Sequence, residues 1–143
     1  MIRRQLLQLA PVAALLVAGV APVALAADSA KDRVVLQVSD SDPKIWNQAL
    51  NVARNIQSDR GKDNVEVAIV VFGYGSGMLK FDSPIANRVD EAIAGGANVY
   101  MCQNTMRGQK LTEKDMNQKI AYVPAGVIDI LDKQKQGWAV IKP

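Results

Sequence analysis

The chain has 143 residues, with 17 basic and 14 acidic side chains, a single cysteine and no histidine. The absence of histidine excludes His-based catalytic triads, the usual zinc sites and imidazole acid–base chemistry. One cysteine excludes an intramolecular disulfide and a dithiol redox centre. No run of basic residues interleaved with aromatic ones is present, so the sequence predicts no nucleic-acid partner.

Residues 1–26 have the pattern of a cleavable signal peptide. Arg3 and Arg4 form a charged start, residues 6–25 are largely apolar, and residues 24–26 (Ala-Leu-Ala) form a small-x-small cleavage site. Two prolines and a glycine interrupt the apolar stretch, whereas a membrane-spanning helix needs roughly 20 consecutive apolar residues. We therefore expect a periplasmic or secreted protein with no membrane segment after cleavage, exported by the Sec or the twin-arginine route. Cleavage leaves 15 basic against 14 acidic residues, so the charge of the precursor says little about partners.

Residues 27–143 are long enough for one domain. Apolar and β-branched runs predict strands, and apolar positions three or four apart predict helices. The first half of the domain is predicted as a strand over 33–39, a helix capped by Asp42 and Pro43 and ended by Gly61, a strand over 65–72, and a turn at Gly73, Gly75 and Gly77. A helix capped by Ser83 and Pro84, a strand over 97–102, a polar loop and a short helix capped by Thr112 are predicted next. The chain is predicted to end with a helix over 124–137, with Val127, Ile130 and Leu131 inward, and a strand over 138–141. Alternating strands and helices predict a three-layer α/β domain with a mostly parallel central sheet.

Ligands of such sheets bind at the carboxyl ends of the strands, where three segments meet. The first carries Asp40 and Asp42, which could hold a cation or act as a base, although a helix-capping turn explains them better. The glycine segment, with Gly73, Gly75 and Gly77, could cradle a phosphate or flavin, but it has neither the G-x-G-x-x-G spacing nor a P-loop lysine. We therefore expect a tight turn there, and no metal or cofactor.

The third segment begins with Cys102, the only strong nucleophile in the chain. A lone cysteine is often inert and buried. Here Asn104 and Thr105 offer hydrogen bonds, and Arg107 and Lys110 offer positive charge, which are surroundings that lower the pKa of a thiol. Cys102 is thus the candidate catalytic residue, and those four residues are the candidate stabilisers of its thiolate.

Four stretches, "LQVSDSDPKIWNQALNVARNIQ", "CQNTMRGQKLTEKDM", "YVPAGVIDIL" and "GWAVIKP", resemble the DsrE/DsrF-like family, and in particular its exported single-domain members. The resemblance implies a flavodoxin-like or Rossmann-like α/β sandwich and assembly as a homotrimer or homohexamer. It also implies a role in sulfur relay, with a sulfur donor or acceptor protein as partner and Cys102 as the residue that carries sulfur as a persulfide.

Three hypotheses follow for the function. The first is a sulfur carrier, similar to a sulfurtransferase, that uses Cys102. The second is a non-catalytic oligomeric binding or assembly module in which Cys102 is structural. The third is a redox thiol that forms mixed disulfides with a partner.

Overall fold

A computed structural model describes residues 30–143, and the predicted signal peptide lies outside the described residues. Each strand except the last leads into a helix. The elements are β1 (Asp32–Val38), α1 (Pro43–Arg60), β2 (Val65–Val71), a 3₁₀ helix (Gly73–Leu79), α2 (Ala86–Ala94), β3 (Asn98–Cys102), α3 (Gln103–Gly108), a second 3₁₀ helix (Glu113–Asp115), β4 (Ala121–Val123), α4 (Gly126–Lys135) and β5 (Ala139–Ile141).

The five strands form one parallel sheet in the order β4-β3-β2-β1-β5. β1 lies between β2 and β5, so that Val34 pairs with Val67 on one side and Ala139 on the other. All carboxyl ends therefore meet at one edge of the sheet. The predicted α/β class and the predicted parallel sheet are confirmed.

One face of the sheet carries the larger apolar core. α1, α2 and the 3₁₀ helix Gly73–Leu79 cover this face, and Trp46, Leu50 and Val89 are among the buried side chains that pack on the strands. α1 begins and ends as predicted: the Asp42 carboxylate accepts a hydrogen bond from the Lys44 N–H at 2.8 Å, and Gly61 ends the helix at a φ of +84°.

α4 covers the other face, where a smaller core joins Val70, Ile130 and Trp138. Lys133 lies over the rings of Tyr100 and Trp138 and pairs with Asp129 at 2.7 Å, so its aliphatic stem adds to the cover. The prediction that Val127 and Leu131 point inward is wrong. They are 58% and 44% exposed, because α4 meets the sheet along Gly126 and Ile130.

α2 starts later than predicted. Ser83 and Pro84 belong to a turn in which the Ala86 N–H bonds to the Ser83 carbonyl at 3.1 Å, and Ile85 has a non-helical φ of −117°. Ser83 is therefore not the N-cap of the helix.

Two elements near Cys102 differ from the prediction. The segment expected as a polar loop is α3, whose Met106 is buried in the larger core. β4 was not predicted, and it adds a strand at the edge next to β3.

The short helix predicted at Thr112 is a 3₁₀ helix with a capping box, in which Thr112 and Asp115 form reciprocal hydrogen bonds.

No helix within residues 30–143 is long and apolar enough to cross a bilayer. Over the same range, no group of three or more acidic or cysteine side chains is placed to hold a metal ion.

Candidate functional site

Cys102 lies at the carboxyl end of β3 and is the residue from which α3 starts. Its side chain is 4% exposed and forms part of the wall of an open pocket of about 340 Å³. The pocket lies between the ends of β2 and β3 and the start of α4. Its lining residues are Phe72, Gly73, Cys102, Asn104, Thr105, Ala125, Gly126, Val127 and Ile128. Because the pocket is open while Cys102 is only 4% exposed, we expect a small reagent to reach the sulfur more easily than a bulky one.

The Gly126 N–H donates a hydrogen bond to the Cys102 Sγ at 3.2 Å. Gly126 is the first residue of α4, so this donor belongs to a ten-residue helix whose N-terminal end carries partial positive charge. A Cβ atom at Gly126 would lie 3.2 Å from the Cβ atoms of both Cys102 and Phe72. These contacts are tighter than ordinary van der Waals contact, so glycine suits the close approach of the helix start to Cys102.

Burial raises the pKa of the Cys102 thiol, but hydrogen bonds to the sulfur outweigh it, and the net pKa lies below the ordinary value. The donors are the Gly126 N–H, the Thr105 hydroxyl and the N–H groups of Thr105 and Asn104. The thiolate is thus favoured by hydrogen bonds from backbone and hydroxyl groups. A thiolate is the nucleophilic form of cysteine.

Thr105 connects the sulfur to Gly73, the first residue of the 3₁₀ helix Gly73–Leu79. Its Oγ1 accepts a hydrogen bond from the Gly73 N–H at 2.8 Å, which leaves the hydroxyl hydrogen free to point at the sulfur. Gly73 has a φ of +57°, a conformation that glycine adopts at little cost, and its carbonyl accepts from the Gln109 Nε2 at 2.9 Å. These two hydrogen bonds of Gly73 therefore help to orient the Thr105 hydroxyl beside Cys102.

The other predicted stabilisers lie around the pocket in different ways. Asn104 lines the pocket, but its side-chain oxygen accepts a hydrogen bond from the Arg107 guanidinium. Arg107 and Lys110 are exposed and do not line the pocket, and neither is among the groups that lower the thiol pKa. A role for their charge at the thiolate stays a prediction.

Asp40 lies outside the pocket. Its carboxylate accepts from the Asp42 N–H at 3.0 Å, and its carbonyl accepts from the Trp46 indole at 2.6 Å, so both oxygens belong to the turn before α1. At Gly75 an added Cβ would lie 2.8 Å from the Val38 carbonyl oxygen, and at Gly77 one would lie 3.0 Å from the Trp46 ring. Gly75 and Gly77 permit close packing within the 3₁₀ helix Gly73–Leu79, which stands where a tight turn was predicted. Of the three glycines of this segment, only Gly73 lines the pocket.

The sequence interpretation missed Gly126 and Gln109. Gln109 links the glycine turn to the end of α3, since its Oε1 accepts from the Ser76 hydroxyl at 2.6 Å. The available signal for Gly126 was the run Tyr-Val-Pro-Ala-Gly at residues 122–126, in which a short apolar stretch precedes a proline and a helix.

The DsrE/DsrF-like family model matches residues 23–143. The chain belongs to the DsrE/DsrF-like family. This match confirms the predicted family and places the chain in a sulfur-relay family. The resemblance to the exported single-domain members stays a prediction. No curated protein matched the chain.

Three solved structures share the fold of this DsrE/DsrF-like domain. A protein of unknown function, MTH1491 from Methanobacterium thermoautotrophicum, is 27% identical with a TM-score of 0.75, over 79% of this chain and 100% of that one. BT1422 from Bacteroides thetaiotaomicron is 16% identical with a TM-score of 0.64, over 78% and 95%. The ychN protein from E. coli is 12% identical with a TM-score of 0.59, over 80% and 99%. The last two are similar in fold alone.

Proposed function

We propose that this DsrE/DsrF-like protein carries sulfane sulfur as a persulfide on Cys102. The observation that carries the proposal is the Gly126 N–H, which donates to the Cys102 sulfur from the start of α4 inside an open pocket. Family membership supports sulfur chemistry, and the lowered thiol pKa supports a nucleophile. Since the chain has no histidine, activation by these hydrogen bonds replaces activation by a general base.

Loading needs a donor that holds sulfane sulfur, such as a small persulfide. The Cys102 thiolate attacks the outer sulfur of the donor, a new S–S bond forms at Cys102, and the S–S bond of the donor breaks. The electron pair leaves on the donor, which departs as a thiolate. The oxidation level of the transferred sulfur is conserved, so the step requires no further oxidant or reductant.

Unloading reverses the roles. A thiolate on an acceptor attacks the terminal sulfur of the persulfide, and the electron pair of the broken bond returns to the Cys102 sulfur. The Gly126 N–H and the Thr105 hydroxyl then stabilise the thiolate that forms. A thiol of low pKa is the better leaving group, so the same hydrogen bonds favour both steps.

Mass spectrometry after incubation with glutathione persulfide tests the proposal. We expect a mass increase of one sulfur atom on Cys102, its removal by a small thiol, and no increase in a Cys102→Ser variant. A Thr105→Val variant should load more slowly than wild type at neutral pH, whereas Thr105→Ser should load at close to the wild-type rate. The proposal fails if a known carrier protein is loaded in parallel while Cys102 gains no sulfur.

A second function is favoured by one observation. Val127, Ile128 and Leu131 form an exposed apolar surface on α4, and the first two also line the pocket. In this alternative the domain is a binding or assembly module, a homotrimer or homohexamer with a structural Cys102. Light scattering of the Cys102→Ser variant distinguishes the two: loss of the wild-type mass, together with a wild-type thiol inert to both small and bulky reagents, would favour the module.

We propose in addition that the protein acts outside the cytoplasm. The signal-peptide pattern of residues 1–26 supports a periplasmic or secreted protein, where the donor or acceptor would be another exported thiol protein. Fractionation of cells that express the full chain, with N-terminal sequencing of the product, tests the cleavage after residue 26.

A further inference from the structure

A groove of about 250 Å³ runs between α1 and α2, and it shares no residue with the Cys102 pocket. Its floor contains the apolar side chains of Leu50, Ala53 and Ala92. At one end Gln57 bridges the helices, since its Nε2 donates to the Gly95 carbonyl at 3.3 Å. Small residues where the helices approach each other leave this space open.

Basic side chains dominate the polar wall of the groove. Arg54 and Lys62 come from α1 and the turn after it, and Arg88 comes from α2. Among the lining residues from the described part of the chain, Glu91 is the one carboxylate. Across residues 30–143, none of the three basic groups forms an ion pair with a carboxylate.

Two of these charges are held close together. The Arg54 Nη2 and the Arg88 Nη2 both donate to the Asn51 Oδ1, at 3.3 and 2.7 Å, and Arg88 also donates to the Asn47 Oδ1. Neutral amide oxygens orient the two guanidinium groups without cancelling their charge. Two cations that share one neutral acceptor repel each other, and an anion placed between them relieves that repulsion.

We infer that this groove binds a small organic oxyanion, a carboxylate or a sulfonate with a short apolar body. The planar guanidinium groups of Arg54 and Arg88 match the paired oxygens of such a head group. The floor at Leu50 and Ala92 takes the apolar body. Ligand pockets for drug-sized molecules have volumes of roughly 300 to 1,000 Å³, so this smaller groove suits a ligand with a single ring or a short chain. The site is independent of the sulfur-carrier proposal.

Titration with benzenesulfonate tests the inference by NMR of the backbone amides. We expect saturable shifts around Asn51, Arg54 and Glu91, with a dissociation constant of about 1 mM or tighter. Arg54→Gln and Arg88→Gln should each weaken binding by about tenfold or more, since each removes a charged hydrogen bond. Arg60→Gln is the matched control, because Arg60 lies on the same helix but pairs with Asp32 outside the groove.

Two further ligands and one further variant decide the outcome. Sodium sulfate has the charge without the apolar body, and benzyl alcohol has the body without the charge; both should bind at least about tenfold more weakly. Ala92→Leu keeps every charge and fills the half-buried floor, so it should abolish binding even if an arginine variant proves unstable. The inference is overturned if no saturable shift occurs, if sulfate or benzyl alcohol binds equally well, or if Arg60→Gln weakens binding as much as Arg88→Gln.

Discussion

The two faces of the sheet are covered very differently. Among residues 30–143, 20 buried apolar residues form one continuous core on the face under α1 and α2. Six buried apolar residues of the same range form the core on the face under α4, and Val127, Ile128 and Leu131 of that helix are exposed. Burial of apolar area is the main source of folding free energy, so the first face holds most of the stability.

The second face contributes chemistry. α4 is set on the sheet so that its first residue meets the Cys102 sulfur, and its apolar side chains are left partly in solvent as a result. The core on the opposite face, which includes Met106 of α3, fixes the position of the cysteine end of β3. The comparison teaches that the layer that stabilises the domain is separate from α4, the helix that lowers the pKa of the thiol. Four predictions test this separation.

The largest expected effect is on the stabilising face. Ile69→Ala removes a fully buried side chain of β2, and we expect it to lower the free energy of unfolding by about 3 kcal/mol, within the roughly 2 to 5 kcal/mol seen for such truncations. Ile130→Ala, its counterpart on α4, should cost less because Ile130 is 8% exposed beside a thinner layer. Urea unfolding measures both. An equal or larger cost at Ile130 would contradict the division between the faces.

Gly126→Ala should disturb both stability and the thiol. The added Cβ would lie 3.2 Å from the Cβ atoms of Cys102 and Phe72, so we expect the start of α4 to shift by a few tenths of an ångström, at a cost of about 1 to 3 kcal/mol. The N–H bond to the sulfur then weakens and the thiol pKa rises. Alkylation rates with iodoacetamide across pH measure the shift. Gly108→Ala is the control, since a Cβ there has no neighbour within 4 Å; equal pKa changes in both variants would contradict this account.

Thr105→Val tests the smaller contribution of the hydroxyl. We expect a higher thiol pKa and a stability cost of about 0.5 to 1.5 kcal/mol. In the wild type the folded-state pKa of Cys102 is lowered, so its contribution to stability is present above the unfolded-state value and is lost as pH falls through the folded-state value. Stability should therefore rise with pH through the range that begins at the lowered folded-state pKa and ends near the unfolded-state pKa of a thiol, about 8.5.

The pH-dependent rise has two controls. The increase should be smaller in Thr105→Val, retained in Thr105→Ser and missing in Cys102→Ser. A rise of unchanged size in Cys102→Ser would assign it to another group.

The smallest effect is expected for the exposed side chains of α4. Val127→Ser combined with Leu131→Ser should change the unfolding free energy of a dilute sample by no more than about 0.5 kcal/mol, as is usual for surface positions. If the proposed homo-oligomer uses this surface, sizing chromatography of a concentrated sample should show a lower mass for the variant. A loss of several kcal/mol in the dilute sample would mean that these side chains belong to the core.

Much of this organisation could be predicted from local patterns. The α1 caps at Asp42 and Gly61 and the position of Cys102 at a strand end were visible because each depends on a few adjacent residues. β4 was missed because three residues are too few to show a period. α3 was missed because its sequence is polar except for one buried residue, Met106, and a single apolar position shows no helical period.

The donor at Cys102 could not be predicted for a different reason. Gly126 is 24 residues away in the chain, and the contact depends on where β4 places the start of α4. The exposure of Val127 and Leu131 likewise depends on how α4 is placed on the sheet. An apolar residue on a helix predicts burial only where enough sheet or helix lies opposite it. Within residues 30–143, α4 is the one helix that packs on its face of the sheet.

The two tryptophans of the chain, Trp46 and Trp138, lie one in each apolar core. Single-tryptophan proteins made by Trp46→Phe or Trp138→Phe therefore have a fluorophore in one layer only. Emission from Trp46 reports on the layer under α1, and emission from Trp138 reports on the layer under α4, where Lys133 lies 5.5 Å from the ring centroid. The molecule thus contains two fluorescent probes, which distinguish local detachment of α4 from the sheet from unfolding of the whole domain.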